Sequence, residues 1–132
     1  MDGTTWIRAG AILGGLGVTF GAFGAHGLKE YMEPRSLEVF EIAVRYQMYH
    51  APALIAVGLL ASLGRSGAAL SVAGWSFLVG TLIFSGTLYV LALTGIRWLG
   101  AITPIGGVAL IVGWFALAFA AGSIAKATGS EL

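Results

Sequence analysis

Cysteine is missing altogether, which excludes disulfides, thiolate catalysis and cysteine metal sites together. Charge is scarce. Lys and Arg number 7 and Asp and Glu 6 among 132 residues. A formal net charge of +1 gives no electrostatic case for nucleic acid or for a strongly acidic partner. Histidine is limited to His26 and His50, and proline to Pro34, Pro52 and Pro104. No serine–histidine–carboxylate order, phosphate-cradling loop or pair of carboxylates lies within an apolar run, so the usual signatures of hydrolases and nucleotide-binding proteins are missing. The protein is therefore expected not to be an enzyme, and to hold no metal and no cofactor.

What remains is apolar. The chain is 58% hydrophobic and 10% charged, whereas soluble domains have about 45–50% and about 25%. Mean hydropathy is +0.90. That excess places the chain in a lipid bilayer, and the length suits one domain. Four hydrophobic runs are read, over residues 6–25, 46–63, 68–94 and 98–125. Each reaches the roughly 17 residues that a helix needs to cross the hydrocarbon core. Trp6 suits the headgroup interface, and Arg8 can extend its charged end toward it. The first run is long for a cleaved signal, and Asp2 offsets Arg8, so it reads as a retained span.

Most of the charge lies between His26 and Arg45. Pro34 fits a first helical position. Beyond it Leu37, Phe40, Val44 and Met48 share one helical face, with Glu38, Glu41 and Arg45 on the other. The pattern predicts an amphipathic lead-in that runs into the second span. Pro52 then falls inside a helix, where it should free the carbonyl of Met48 and bend the chain. Gly64 to Gly67 and Gly95 to Arg97 read as turns.

Glycine is abundant, and it is ordered. Gly10, Gly14, Gly17, Gly21 and Gly24 recur at alternating spacings of four and three, which aligns them along one helical stripe. Gly106, Ala109, Gly113, Ala116, Ala120 and Ser123 form a second stripe in the fourth span. Lipid supplies little hydrophobic force between helices, so close backbone approach must hold them together. Each stripe is expected to face a neighbouring helix. The fold is read as all-α, an integral membrane four-helix antiparallel bundle.

Four polar residues form the first candidate site: His26, Tyr46, Gln47 and His50. Helical spacing puts Tyr46 and Gln47 on the face of His50. The antiparallel pairing of the first two spans suggests that His26 and His50 lie near one membrane face. Imidazole can bind metal or haem and carry protons. A histidine in a bundle can equally hydrogen-bond a neighbouring helix, and this structural role is the expectation. His26, following the glycine stripe, is the stronger ligand candidate of the two. Ser85, Tyr89 and Thr103 form a second polar group, expected to bond backbone carbonyls or neighbouring helices.

Four stretches carry a resemblance: Gly21-Ala-Phe-Gly-Ala-His-Gly-Leu28, Tyr46-Gln-Met-Tyr-His50, Phe84-Ser-Gly-Thr-Leu-Tyr89 and Ile102-Thr-Pro-Ile-Gly-Gly107. In this order they resemble the small membrane proteins called domain of unknown function 423, to which transmembrane protein 256 is related. The resemblance implies a four-helix protein of the bacterial inner membrane, with cytoplasmic termini. It implies no activity. Three functional readings follow. One is a structural or interaction protein, forming a homo-oligomer or an accessory subunit of a larger membrane complex. Another is a carrier for a small solute, ion or proton, using the histidine cluster. The third is a module that binds haem or quinone.

Overall fold

The computed structural model describes residues 1–127, and the C-terminal tail from residue 128 lies outside them. Asp2 begins the first helix. Its carboxylate accepts the backbone N–H and the hydroxyl of Thr5, both at 2.8 Å. These bonds hold the Asp2 carboxyl below its ordinary value, so the cap is complete above the usual carboxylate range and is lost as pH falls through the lowered value. Helix α1 spans Gly3–Phe23. It continues into one π-helical turn, Gly24–Leu28. A short turn then leads to Pro34, which starts helix α2, Pro34–Ser62.

The charged lead-in and the second span are thus one helix. At about 1.5 Å per residue it is roughly 43 Å long, which exceeds the roughly 30 Å hydrocarbon core. Its first turns carry Arg35, Glu38, Glu41 and Arg45, all exposed, while Phe40 and Ala43 are buried. Helices α3, Ala68–Thr94, and α4, Leu99–Ala127, complete the fold. Gly95 ends α3 with a positive φ of 72° and returns its N–H to the Leu91 carbonyl at 2.8 Å, a conformation that glycine adopts without strain.

Among the described residues, three stretches are long and apolar enough to cross a membrane: Gly3–Leu28, Ala68–Thr94 and Leu99–Gly122. Helix α2 differs in kind. It carries Gln47 and His50 into the middle of the bundle, where only 3% and 4% of their surfaces remain exposed. Its neighbours supply the hydrogen bonds that water would have given.

Packing is tightest between α3 and α4 and between α1 and α2, and the two pairs meet through α2 and α3. The first glycine stripe lies on α2. A Cβ on Gly10 would stand 2.7 Å from the Ala51 carbonyl, one on Gly21 3.2 Å from Val44, and one on Gly24 2.9 Å from Phe40. Gly17 faces Met48, and Gly14 faces Ala51 more loosely. At Gly106 and Gly113 the second stripe lies on α3, Ser123 falling outside the described side chains: a Cβ on Gly106 would meet the Phe84 backbone nitrogen at 2.5 Å, and one on Gly113 the Phe77 ring at 2.7 Å.

Trp6 departs from the sequence reading. It is buried rather than turned to the headgroups. Its indole lies over Gly74 of α3 and meets Trp75 edge-on at 5.2 Å. Glycine at position 74 leaves the space that lets α1 reach past α2 to α3.

Candidate functional site

Most polar residues of the bundle interior are joined helix to helix, and α2 takes part in the bonds of Gln47, His50, Ser85 and Tyr89. The Gln47 amide Nε2 donates to the Leu13 carbonyl of α1 at 2.7 Å, and its Oε1 accepts the Tyr89 hydroxyl of α3 at 2.6 Å. Ser85 of α3 donates to the Ala43 carbonyl of α2 at 2.7 Å. The Tyr89 ring sits edge-on between Phe20 and Phe40, at 5.2 and 5.1 Å. One side chain therefore ties α1, α2 and α3 together.

His50 joins the fourth helix. The Trp114 indole N–H donates to Nε2 at 3.0 Å, and Nδ1 lies 2.6 Å from the Tyr46 carbonyl. Indole nitrogen only donates and a carbonyl only accepts. The two bonds together require a proton on Nδ1 and a lone pair on Nε2. The network thus assigns His50 as a neutral imidazole of one tautomer. Its ring also lies 5.8 Å from Phe77 and 5.7 Å from Trp114.

The candidate cluster does not assemble as the sequence suggested. His26 is exposed in the π-helical turn. That turn lies alongside Phe40 through Gly24, whereas His50 is ten residues further along α2, roughly 15 Å at the helical rise. The two histidines are therefore not at one level: His26 is at the edge of the bundle and His50 near its middle. The continuous helix from Pro34 is as the pattern predicts; what differs is depth. The apolar run opens at residue 46, one turn before His50, whereas the π-helical turn already packs beside Phe40 in the charged lead-in. Tyr46 contributes its carbonyl and its ring, which packs on Phe84 at 4.7 Å.

Thr103 also separates from its predicted group. It pairs with Thr87 across α3 and α4, Oγ1 to Oγ1 at 2.7 Å, while Ser85 and Tyr89 turn to α2. Trp114 escaped the sequence reading. A usable signal existed: an indole N–H in mid-span, far from either interface, must find an acceptor inside the protein.

Thr81 stands out among the buried hydroxyls. Only 2% exposed, its oxygen has no hydrogen-bond partner. Valine has nearly the same shape without the stranded hydroxyl. Thr81→Val is expected to leave stability unchanged or raise it by about 1–2 kcal/mol. Denaturant titration in detergent micelles reads the change, and a clear loss of stability would show that the hydroxyl has a bonding role.

Beside this network a groove of about 780 Å³ separates α2 from α4, with Phe84 of α3 in its wall. A volume of this size lies within the roughly 300–1,000 Å³ of small-molecule sites.

A helical membrane bundle with its polar groups turned inward is the class that this geometry defines. The family model described as "Protein of unknown function (DUF423)" matches residues 20–107. A UPF0382 membrane protein of Staphylococcus saprophyticus is 47% identical over 112 residues, covering 85% of this chain and 92% of the relative. The UPF0382 membrane protein YwdK of Bacillus subtilis is 45% identical over 116 residues, 88% of this chain and 94% of its own. A relative from Haemophilus influenzae, also a UPF0382 membrane protein, is 41% identical over 109 residues, covering 83% and 86%. The chain belongs to the DUF423 family, a family of membrane proteins whose function is unknown. No solved structure matches it.

Proposed function

We propose that this protein acts by assembly rather than catalysis, as a small scaffold of the bacterial inner membrane with both termini in the cytoplasm. It associates with copies of itself or joins a larger membrane complex as an accessory subunit. The outer face of α1 carries the argument. Its glycine stripe is already covered by α2, yet a second line of small residues, Ala11, Gly15 and Ala22, faces outward. A Cβ on Gly15 would meet nothing within 4 Å. Small residues at such spacing let another helix approach its backbone closely. The engagement of Gln47, His50, Ser85 and Tyr89 in interhelical bonds also favours a structural role for them over a transport path. Haem ligation by His50 would compete with Trp114 for the Nε2 lone pair.

Crosslinking in native membranes, followed by purification in mild detergent, tests this reading. Species larger than the monomer are expected, and Gly15→Leu is expected to deplete them several-fold while the monomer still folds. Recovery of a lone monomer without crosslinked partners would overturn it.

A further inference from the structure

The groove between α2 and α4 has a chemistry of its own. Its α4 wall, Gly107, Leu110, Ile111 and Trp114, occupies the central part of Leu99–Gly122, a stretch long and apolar enough to cross a membrane. The groove is therefore at mid-bilayer depth. Tyr49 and Trp114, 55% and 46% exposed, stand at its open side. An occupant must arrive laterally, from the lipid. The wall is aromatic: Tyr46 packs on Phe84 at 4.7 Å, and Trp114 on Phe77 at 5.0 Å. Such a wall favours a flat ring over a flexible acyl chain, through offset or edge-on ring contacts.

One polar feature of the wall lacks its usual partner. Pro52 has no N–H, so the Met48 carbonyl loses the bond it would receive in a continuous α-helix. Met48 itself borders the groove. The end of its side chain extends toward α1, with Sδ against Gly17. A carbonyl that has lost its helical donor at membrane depth favours another donor. His50 cannot supply one, because its Nδ1 proton is directed at Tyr46 and its Nε2 accepts from Trp114.

From the aromatic wall, the lateral opening and the released Met48 carbonyl, we infer that this groove binds a lipid-soluble phenolic ring, of the quinol class, whose hydroxyl donates to the Met48 carbonyl while its tail remains in the bilayer. The inference is independent of the assembly proposal: crosslinking reads one, and ligand titration reads the other.

Calorimetric titration of the full chain in lipid nanodiscs with ubiquinol-1, under nitrogen and against empty nanodiscs, tests it. Saturable binding is expected. Ubiquinone-1, which has the ring but no donor, is expected to bind several-fold more weakly, up to about tenfold, as suits one hydrogen bond. Farnesol, which has a hydroxyl but no ring, is expected to bind more weakly still. Pro52→Ala returns an N–H to the Met48 carbonyl without burdening the helix, and should bring ubiquinol-1 down to the affinity of ubiquinone-1. Gly107→Leu should abolish binding by filling the groove, since a Cβ there meets only the Phe84 ring, at 3.7 Å. Absence of saturable binding, equal binding of farnesol, or ubiquinol-1 affinity unmoved by Pro52→Ala would each overturn the inference.

Discussion

Gly10→Ala is expected to destabilise the bundle by about 1–3 kcal/mol, the usual range for an overfilled contact. In an isolated helix the same change would be favourable by roughly 1 kcal/mol, because alanine is the better helix former. Packing decides the sign here. The new methyl would stand 2.7 Å from the Ala51 carbonyl and 3.0 Å from the Ile55 backbone nitrogen. Backbone cannot swing aside as a side chain can, so α1 and α2 must separate. Gly86→Ala is the matched control, since a Cβ there meets nothing within 4 Å. It should be neutral or mildly stabilising. Unfolding in mixed detergent micelles, followed by circular dichroism, compares the two. Equal effects at Gly10 and Gly86 would mean that the α1–α2 contact does not depend on bare backbone.

Gln47→Leu should have an effect of similar size, for a different reason. Leucine breaks the bond to the Leu13 carbonyl and the bond from Tyr89 together, and it strands the Tyr89 hydroxyl among apolar neighbours. Interhelical hydrogen bonds in membranes average about 0.6 kcal/mol and reach about 1.7, so two of them give a loss of roughly 1–3 kcal/mol. Tyr89→Phe alone should be milder, since it removes one bond. The double variant is the sharper measurement. Phenylalanine at position 89 removes the hydroxyl that leucine at 47 strands, so the two changes together should destabilise less than their sum. Strict additivity in the same unfolding assay would show that the two side chains do not share a bond.

The sequence disclosed the architecture because membrane helices advertise themselves. Long apolar runs, turns marked by Gly64 to Gly67 and Gly95, and glycines at alternating spacings follow from lipid solvation and helical geometry alone. The polar interior was harder to read. Gln47, His50, Ser85, Tyr89 and Thr103 could be selected as residues that need partners, but periodicity along one helix does not say which neighbour supplies them. Ser85 and Tyr89 turn to α2, while Thr103 pairs with Thr87. His26 misled because hydropathy marks α2 as apolar only from residue 46, whereas the turn that carries His26 packs beside Phe40, within the charged lead-in. Trp114 was overlooked because aromatic residues in membrane proteins are first read as interfacial anchors, and an indole in mid-span breaks that habit.

The division of the bundle into two tight hairpins bears on how the chain is made. Each hairpin closes on segments that follow one another directly in synthesis, so little chain must be gathered before contacts form. The α1–α2 pair can be complete in the bilayer while α3 and α4 are still to emerge from the ribosome. The links that cross to the later half, among them Ser85 to Ala43, Tyr89 to Gln47, Trp114 to His50 and the Trp6 indole over Gly74, must await the rest of translation. Until then Gln47 Oε1, His50 Nε2 and the Trp6 indole lack their partners and face lipid, or whatever insertion machinery shields them.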